Sequence, residues 1–268
     1  MDPALGVALC WLLFGGLHVG LATRRIRGAL VAGLGEWGYI LIFSLLAAAG
    51  WALLNAYYAV HRFTGAPGLA LGQAGPMRGV LLAAVIAGFT LATGSLFAYP
   101  TSPYALGNER TRVPRGLERV TRHPFFVGVA LAAGAHTLLA PHLPGTVWSA
   151  GLALLAVLGA WHQDRKLLAL RGEPYKAFLA STSFIPFAAI IAGRQSLVLR
   201  ELPWMGLAAS VAVAFALRYV HGAIFAYGGL WVSATAVVGA TVLGLQSWHQ
   251  VRRRGRAVGG RPLPAAPH

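Results

Sequence analysis

Long apolar runs separated by short polar links organise the sequence. Windows of about 20 apolar residues, the length that crosses a hydrocarbon core, fall near 3–22, 37–60, 78–97, 125–141, 145–162, 203–222 and 229–248. An outer-membrane barrel would alternate polar and apolar residues and lack such runs. Residues 184–192 form a shorter apolar run that holds Pro186 and follows Ser181, Thr182 and Ser183. At that length it cannot cross, and it reads as re-entrant or interfacial. The expected fold is an all-α polytopic membrane protein, a bundle of about seven transmembrane helices with one short re-entrant or interfacial segment.

The links carry their own signals. Residues 161–171 continue the helical pattern, Gly172 suits a left-handed stop, and Pro174 suits the first turn of a new short helix. Leu167, Leu168, Leu170, Phe178 and Leu179 would then face the bilayer or the bundle, with Lys166, Arg171 and Lys176 among the headgroups. Gly33, Gly35 and Gly38 fit a G-x-G-x-x-G spacing, but no strand precedes them. They read as a tight turn into a helix, with Glu36 near its positive end.

Composition narrows the function classes. Of 268 residues, 57% are hydrophobic and 11% charged, with a mean hydropathy of +0.63. A soluble domain carries about 25% charged residues, so a soluble enzyme, a nucleic-acid module and a disordered chain are excluded. The net charge of +15 lies in short loops and in a tail containing Arg252, Arg253, Arg254 and Arg256. Alternate connections hold 19 Lys and Arg on one side and 2 on the other, with Arg218 inside a span. The positive-inside rule then gives an N-terminus outside and a C-terminus in the cytoplasm, in the plasma (inner) membrane. Anionic lipid, not nucleic acid, is the partner this charge predicts. Arg218, one turn from the outer end of its helix, reads as a snorkelling side chain. The single Cys10 allows no internal disulfide. The first span has no basic stretch before it and no evident cleavage site, so it reads as a retained helix.

Histidines are the informative polar residues, because imidazole at membrane depth must find a partner or a metal. The topology sets His18, His123 and His162 toward the cytoplasm, and His61, His136, His142 and His221 toward the outer face. Two on separate helices could hold a haem or metal, or pack by hydrogen bonding. Paired carboxylates and a Ser/His/Asp set are missing from the apolar spans, so hydrolysis has little support. Arg122, His123, Asp164 and Arg165 fall at the cytoplasmic ends of spans four and five. They are expected to form one polar cluster, with Asp164 paired to Arg122 or Arg165.

Several stretches carry a family resemblance. They are Arg119-Val120-Thr121-Arg122-His123-Pro124 with Gly128, and Ala135-His136-Thr137-Leu138. Others are Trp161-His162-Gln163-Asp164-Arg165-Lys166-Leu167, Thr182-Ser183-Phe184-Ile185-Pro186-Phe187-Ala188-Ala189-Ile190 and Gly193-Arg194-Gln195. With His18, Arg27, Gly35-Glu36 and His61-Arg62, the chain resembles the NnrU family, which includes zeta-carotene isomerases. The resemblance covers a membrane domain over 1–225; outside it, the apolar run and the charge pattern give an additional transmembrane helix over 226–250 and a basic, Pro/Gly-rich cytoplasmic tail over 251–268. The resemblance implies haem b, with His18 and His136 as the axial pair. Arg122, His123, Asp164 and Arg165 would orient helices or bind a haem propionate. The reaction implied is cis–trans isomerisation of a lipophilic polyene without net redox change; the alternative is a haem protein of nitric oxide or denitrification metabolism. Where the isomerases carry a redox-active cysteine, three residues before the second histidine, this chain has Ala133.

Spacing leaves a rival ligand set open. His18 lies about four residues from the inner face and His136 about five from the outer, a depth difference of roughly 10 Å. His18 with His123 or His162 is the alternative. A second resemblance is to isoprenylcysteine and phospholipid methyltransferases, through Arg122-His123-Pro124, Gly128, the acidic-Arg turn at Asp164, Gly172-Glu173-Pro174-Tyr175 and the Ile185-Pro186 pair. It would place the same cluster around S-adenosylmethionine.

Overall fold

The computed structural model describes residues 2–73, 75–99, 102–104 and 111–259, without the side chains of residues 24, 243, 244 and 246–259. Arg110, and the expectations for the tail beyond 259, lie outside the described residues. Ten helices run through the described residues: α1 Pro3–Ala22, α2 Arg24–His61, α3 Gly75–Leu96, α4 Leu117–Val120 and α5 Pro124–Leu139, then α6 Leu143–Arg171, α7 Glu173–Ser181, α8 Ala188–Ile191, α9 Trp204–Tyr219 and α10 Ala226–Gly259. Local chemistry sets several ends. The Asp2 carboxylate accepts from the Ala4 and Leu5 amides at 2.9 and 3.0 Å, with Pro3 at the first helical position, so α1 starts where its orphan donors are satisfied.

Two boundaries differ from the sequence pattern. Helix α2 begins at Arg24, well before residue 37, because the arginine-rich link is itself helical up to Gly35. Gly35, at φ 72° and ψ 168°, breaks the helix there, a conformation open to a residue without Cβ. Glu36 opens the second half and pairs with Arg27 of the first. The link after α6 follows the pattern: the helix runs on to Arg171, Gly172 has φ 57°, and Pro174 sits in the first turn of α7. Residues 184–192 contain only the four-residue α8. Tyr227, Gly228 and Gly229 are all left-handed, which interrupts the start of α10.

The protein is all-helical among the described residues, and membrane-embedded. Of the about seven spans expected, four are helices that length and composition alone qualify to cross, and Pro124–Leu139, Trp204–Tyr219 and Ala226–Val242 are shorter apolar helices. Pro3–Ala22, Arg25–His61, Gly75–Leu96 and Leu143–Arg171 are long and apolar enough to cross. Helices α5 and α9 have 16 residues each, which rise about 24 Å against a hydrocarbon core of about 30 Å. Side chains such as Leu12, Leu45, Val80 and Leu154 point outward, 59–71% exposed, as lipid-facing positions do.

Helix α5 packs between α3 and α6, while α1 lies on α2 and α6 and α9 covers α3. The α3–α5 crossing is a contact of small residues. A Cβ at Gly88 would meet Gly128 O and Ala132 N at 2.6 Å, and one at Gly128 would meet Ala92 N at 2.4 Å. Gly88-x-x-x-Ala92 and Gly128-x-x-x-Ala132 thus let two backbones touch, the device that membrane helices use when burial of apolar area gives no drive. Around α1 the core is aromatic, with Val7, Phe14 and Leu54 packed by Trp11, Trp51 and Trp148.

The link after α2 marks one end of the bundle. Gly65 lies against Pro3, while the Gly68 and Ala70 amides donate to the Pro141 and Ala140 carbonyls, each at 3.0 Å. The start of α1, the end of α5 and the start of α6 meet there. Arg122, His123 and Asp164 lie toward the opposite end.

Candidate functional site

Asp164 gathers four elements into one buried network. Its Oδ2 accepts from Arg122 Nε at 2.8 Å, and its Oδ1 from His123 Nε2 at 2.7 Å and Tyr175 OH at 2.6 Å. Tyr104 OH completes the chain, 3.1 Å from Tyr175 OH. The Arg122 guanidinium supplies the charge that a carboxylate in this setting requires. A cavity of about 190 Å³ opens beside it, lined by Arg122, Val157, Trp161, Asp164 and Phe184. The backbone holds the cluster in register. Arg122 N donates to Ser183 O at 2.9 Å, Thr121 Oγ1 to Phe184 O at 2.7 Å, and Phe187 N to Val120 O at 2.8 Å. Residues 183–187 are thereby laced onto the α4–α5 junction. Below it, Arg119 grips both Glu201 oxygens and donates to Gln195 Oε1 at 2.8 Å. With the Gly116 amide, Arg119 holds the Glu201 carboxyl down to about 2.

The hydrogen bonds define the protonation state of His123. Its side chain is fully enclosed, between the rings of Tyr104, Phe126 and Phe184. Asp164 is an acceptor here, so Nε2 carries the hydrogen, and Nδ1 is buried without a partner. A proton on Nδ1 would be a buried donor among aromatic rings, so the neutral ring is favoured. Burial pushes the imidazole below its ordinary pKa, outweighing the pull of Asp164. Tyr175 moves the other way, up through burial and its bond to Asp164, and keeps its proton.

A pH dependence follows. Between the lowered folded pKa of His123 and its unfolded value near 6.5, the unfolded chain binds the extra proton, so stability rises with pH in that window. It should be complete above about pH 6.5 and decline as the pH falls below it. Melting temperature in detergent from pH 7.5 to 5 should show this decline, and His123→Asn should flatten it. Parallel profiles for the two proteins would contradict the assignment.

The other sequence candidates are placed elsewhere. Arg165 turns away from Asp164, its guanidinium 4.7 Å over the Trp161 ring; the Asp164 partner is Arg122. His162 is exposed on α6. His18 sits between Phe14 and Phe43, at centroid distances of 5.4 and 5.1 Å, with Nδ1 buried and unpartnered. Each of His18 and His136 has a ring nitrogen free for a metal, but their positions do not fit one iron between them. His18 is about 22 Å along α1 from Pro3, while His136 is about 6 Å along α5 from Ala140, at the same end as Pro3. Axial nitrogens on one iron stand about 4 Å apart.

Tyr104, 71 residues from its partner, has no mark in the local sequence pattern, nor does Arg119 as an anchor, and Tyr175 enters the sequence reading only as the tyrosine of Gly172-Glu173-Pro174-Tyr175 in the methyltransferase resemblance. Tyr175, one residue after Pro174 in a short helix opposite Asp164, was the more accessible signal.

The comparisons with known proteins agree with this arrangement in extent. The NnrU protein family model matches residues 7–228, which ends at the left-handed turn Tyr227–Gly229. The chain is 31% identical over 239 residues to the chloroplastic 15-cis-zeta-carotene isomerase of Arabidopsis thaliana, covering 84% of this chain and 62% of that protein. Against the chloroplastic 15-cis-zeta-carotene isomerase of Zea mays it is 30% identical over 195 residues, 70% of this chain and 51% of that protein. The match thus spans little more than half the length of these curated relatives. No solved structure matches. Most of the chain, from residue 7 within α1 through α9 with the Asp164 network, falls within the family match, and the protein belongs to the NnrU family.

Proposed function

We propose that the protein is an integral-membrane isomerase that turns a cis double bond of a lipophilic polyene to trans, with haem b as its cofactor. One observation carries the reading: the similarity to 15-cis-zeta-carotene isomerases extends over 84% of this chain. The chemistry supports it. Substrate and product are isomers, so no water, leaving group or net electron is needed, and the protein must supply a dry apolar slot. Helices that expose Leu, Val and Trp to lipid give a bilayer-dissolved polyene a lateral route in. When bound, haem supplies a redox-tunable iron centre able to polarise a double bond. The Asp164 network ties α5, α6, α7 and residues 183–187 together and so fixes the spacing of the helices around such a slot. The excess of basic residues on one side supports a seven-span arrangement in the plasma (inner) membrane, with the C-terminus in the cytoplasm.

The test uses purified protein, expressed with haem supply and reconstituted in liposomes with a 15-cis polyene hydrocarbon in the dark. Chromatography of the extracted pigment should show the 15-cis isomer falling faster than in protein-free liposomes. Equal rates with haem-loaded protein would overturn the isomerase reading.

A further inference from the structure

The cavity beside Asp164 has an apolar end and a polar end. Val157 and Trp161, one turn apart on α6, line it and are 41% and 56% exposed, so they belong to a surface that meets lipid. Phe184, from the segment laced onto the α4–α5 junction, adds a third apolar wall. Arg122 and Asp164 form the polar end. Val157 and Asp164 are seven residues apart on α6, a rise of about 10 Å. Residues 150–161 carry no charge, whereas His162, Gln163, Asp164, Arg165 and Lys166 follow in succession. The cavity therefore straddles the boundary between hydrocarbon and headgroups, and it faces the bilayer.

The polar end has donors to spare and no spare acceptor. Arg122 uses Nε on Asp164, and its two terminal nitrogens make no hydrogen bond among the described residues. Asp164 is already occupied, Oδ2 by Arg122 and Oδ1 by His123 and Tyr175. Arg165 adds a further cation, 4.7 Å over the Trp161 ring that walls the cavity, with no carboxylate partner among the described residues. Since Arg122 and Asp164 offset each other, the cavity carries a net positive charge, and guanidinium forks suit phosphate oxygens. Size sets the other limit. About 190 Å³ is below the roughly 300–1,000 Å³ that encloses a whole drug-sized molecule, so one segment of a larger molecule enters and the rest stays in the bilayer. A hydrocarbon polyene is the wrong occupant, because it would cover the Arg122 N–H groups without accepting from them.

We propose that this cavity is a binding site for one anionic phospholipid of the adjoining leaflet. Its phosphate accepts from the terminal nitrogens of Arg122 and from Arg165, and the start of one acyl chain lies against Val157, Trp161 and Phe184. The lipid bridges α6 to residues 183–187 beside the Asp164 network. Such a site is independent of the isomerase chemistry and stands whether or not the protein turns over a polyene.

Native mass spectrometry of the full-length protein in detergent tests the site, with phosphatidylglycerol or phosphatidylcholine of identical chains added in turn. One phosphatidylglycerol should be retained per chain, and phosphatidylcholine should be held more weakly. Arg165→Gln should weaken phosphatidylglycerol retention about fivefold, the scale of one basic side chain at an anionic lipid surface. Lys166→Gln removes the same charge one residue further along α6 and should leave retention unchanged. Val157→Trp fills the apolar end, keeps every charge and should abolish retention. Arg165, Lys166 and Val157 are all exposed, so the three variants should melt with the unaltered protein when lipid is absent. Excess inorganic phosphate should not displace the lipid, because it has no chain for the apolar end. Equal losses in Arg165→Gln and Lys166→Gln would mean diffuse surface attraction and overturn the site. Equal retention of the two lipids, or full retention in Val157→Trp, would overturn it too. Displacement by phosphate would leave a simple anion site and overturn the lipid.

Discussion

Asp164→Ala is expected to be the most damaging single substitution in the polar network. It removes the common acceptor of Arg122, His123 and Tyr175 and leaves a charge and two hydrogen bonders without their partner. Breaking a buried pair on one side costs about 3–5 kcal/mol. The Arg122 side chain is 20% exposed, so some solvent reaches it and the lower end of that range applies. Asp164→Asn keeps the shape but loses the charge, and should fall between the alanine variant and the unaltered protein. Arg165→Ala, which removes only a stacked cation, should stay within about 1 kcal/mol. Denaturant unfolding in detergent measures all three. An Asp164→Ala protein as stable as Arg165→Ala would show that the network contributes nothing to the fold.

Gly128→Ala and Gly134→Ala, the same change on the same helix, should have opposite signs. At Gly128 the added methyl would stand 2.4 Å from Ala92 N and 2.5 Å from Gly88 O. Both are backbone atoms of α3, so relief requires the helices to part. Overpacking of this kind costs about 1–3 kcal/mol and occasionally more, and Gly128→Leu should prevent folding. At Gly134 nothing lies within 4 Å of the new methyl. There the gain in helix propensity, about 0.5–1 kcal/mol, should appear alone. Equal melting temperatures for the two alanine variants would mean that the α3–α5 crossing is looser than its geometry.

Local patterns determined much of this protein from the sequence alone. Apolar run length gave α1 at residues 3–22, and the Gly172–Pro174 signal gave the stop of α6 and the start of α7. The short run at 184–192 was excluded as a span, and the family motifs pointed to NnrU. These depend on chain-local physics: transfer of about 20 residues into hydrocarbon, and the dihedral limits of glycine and proline. Asp164 was legible as a charge that must be paired, and Arg122 was one of two candidates.

Tertiary structure decided the choice. Arg122 reaches Asp164 because residues 183–187 clamp the α4–α5 junction, while Arg165, one residue from Asp164 along α6, points to Trp161. It also decided which histidines meet. The resemblance pairs His18 with His136, but they lie near opposite ends of the bundle, whereas His221, 85 residues after His136, stacks on it. Such pairings depend on how helices cross, and the α3–α5 crossing turns on two glycines, Gly88 and Gly128, whose close approach appears only once both backbones are in place. A sequence states which side chains need partners; the packing of helices determines which partners arrive.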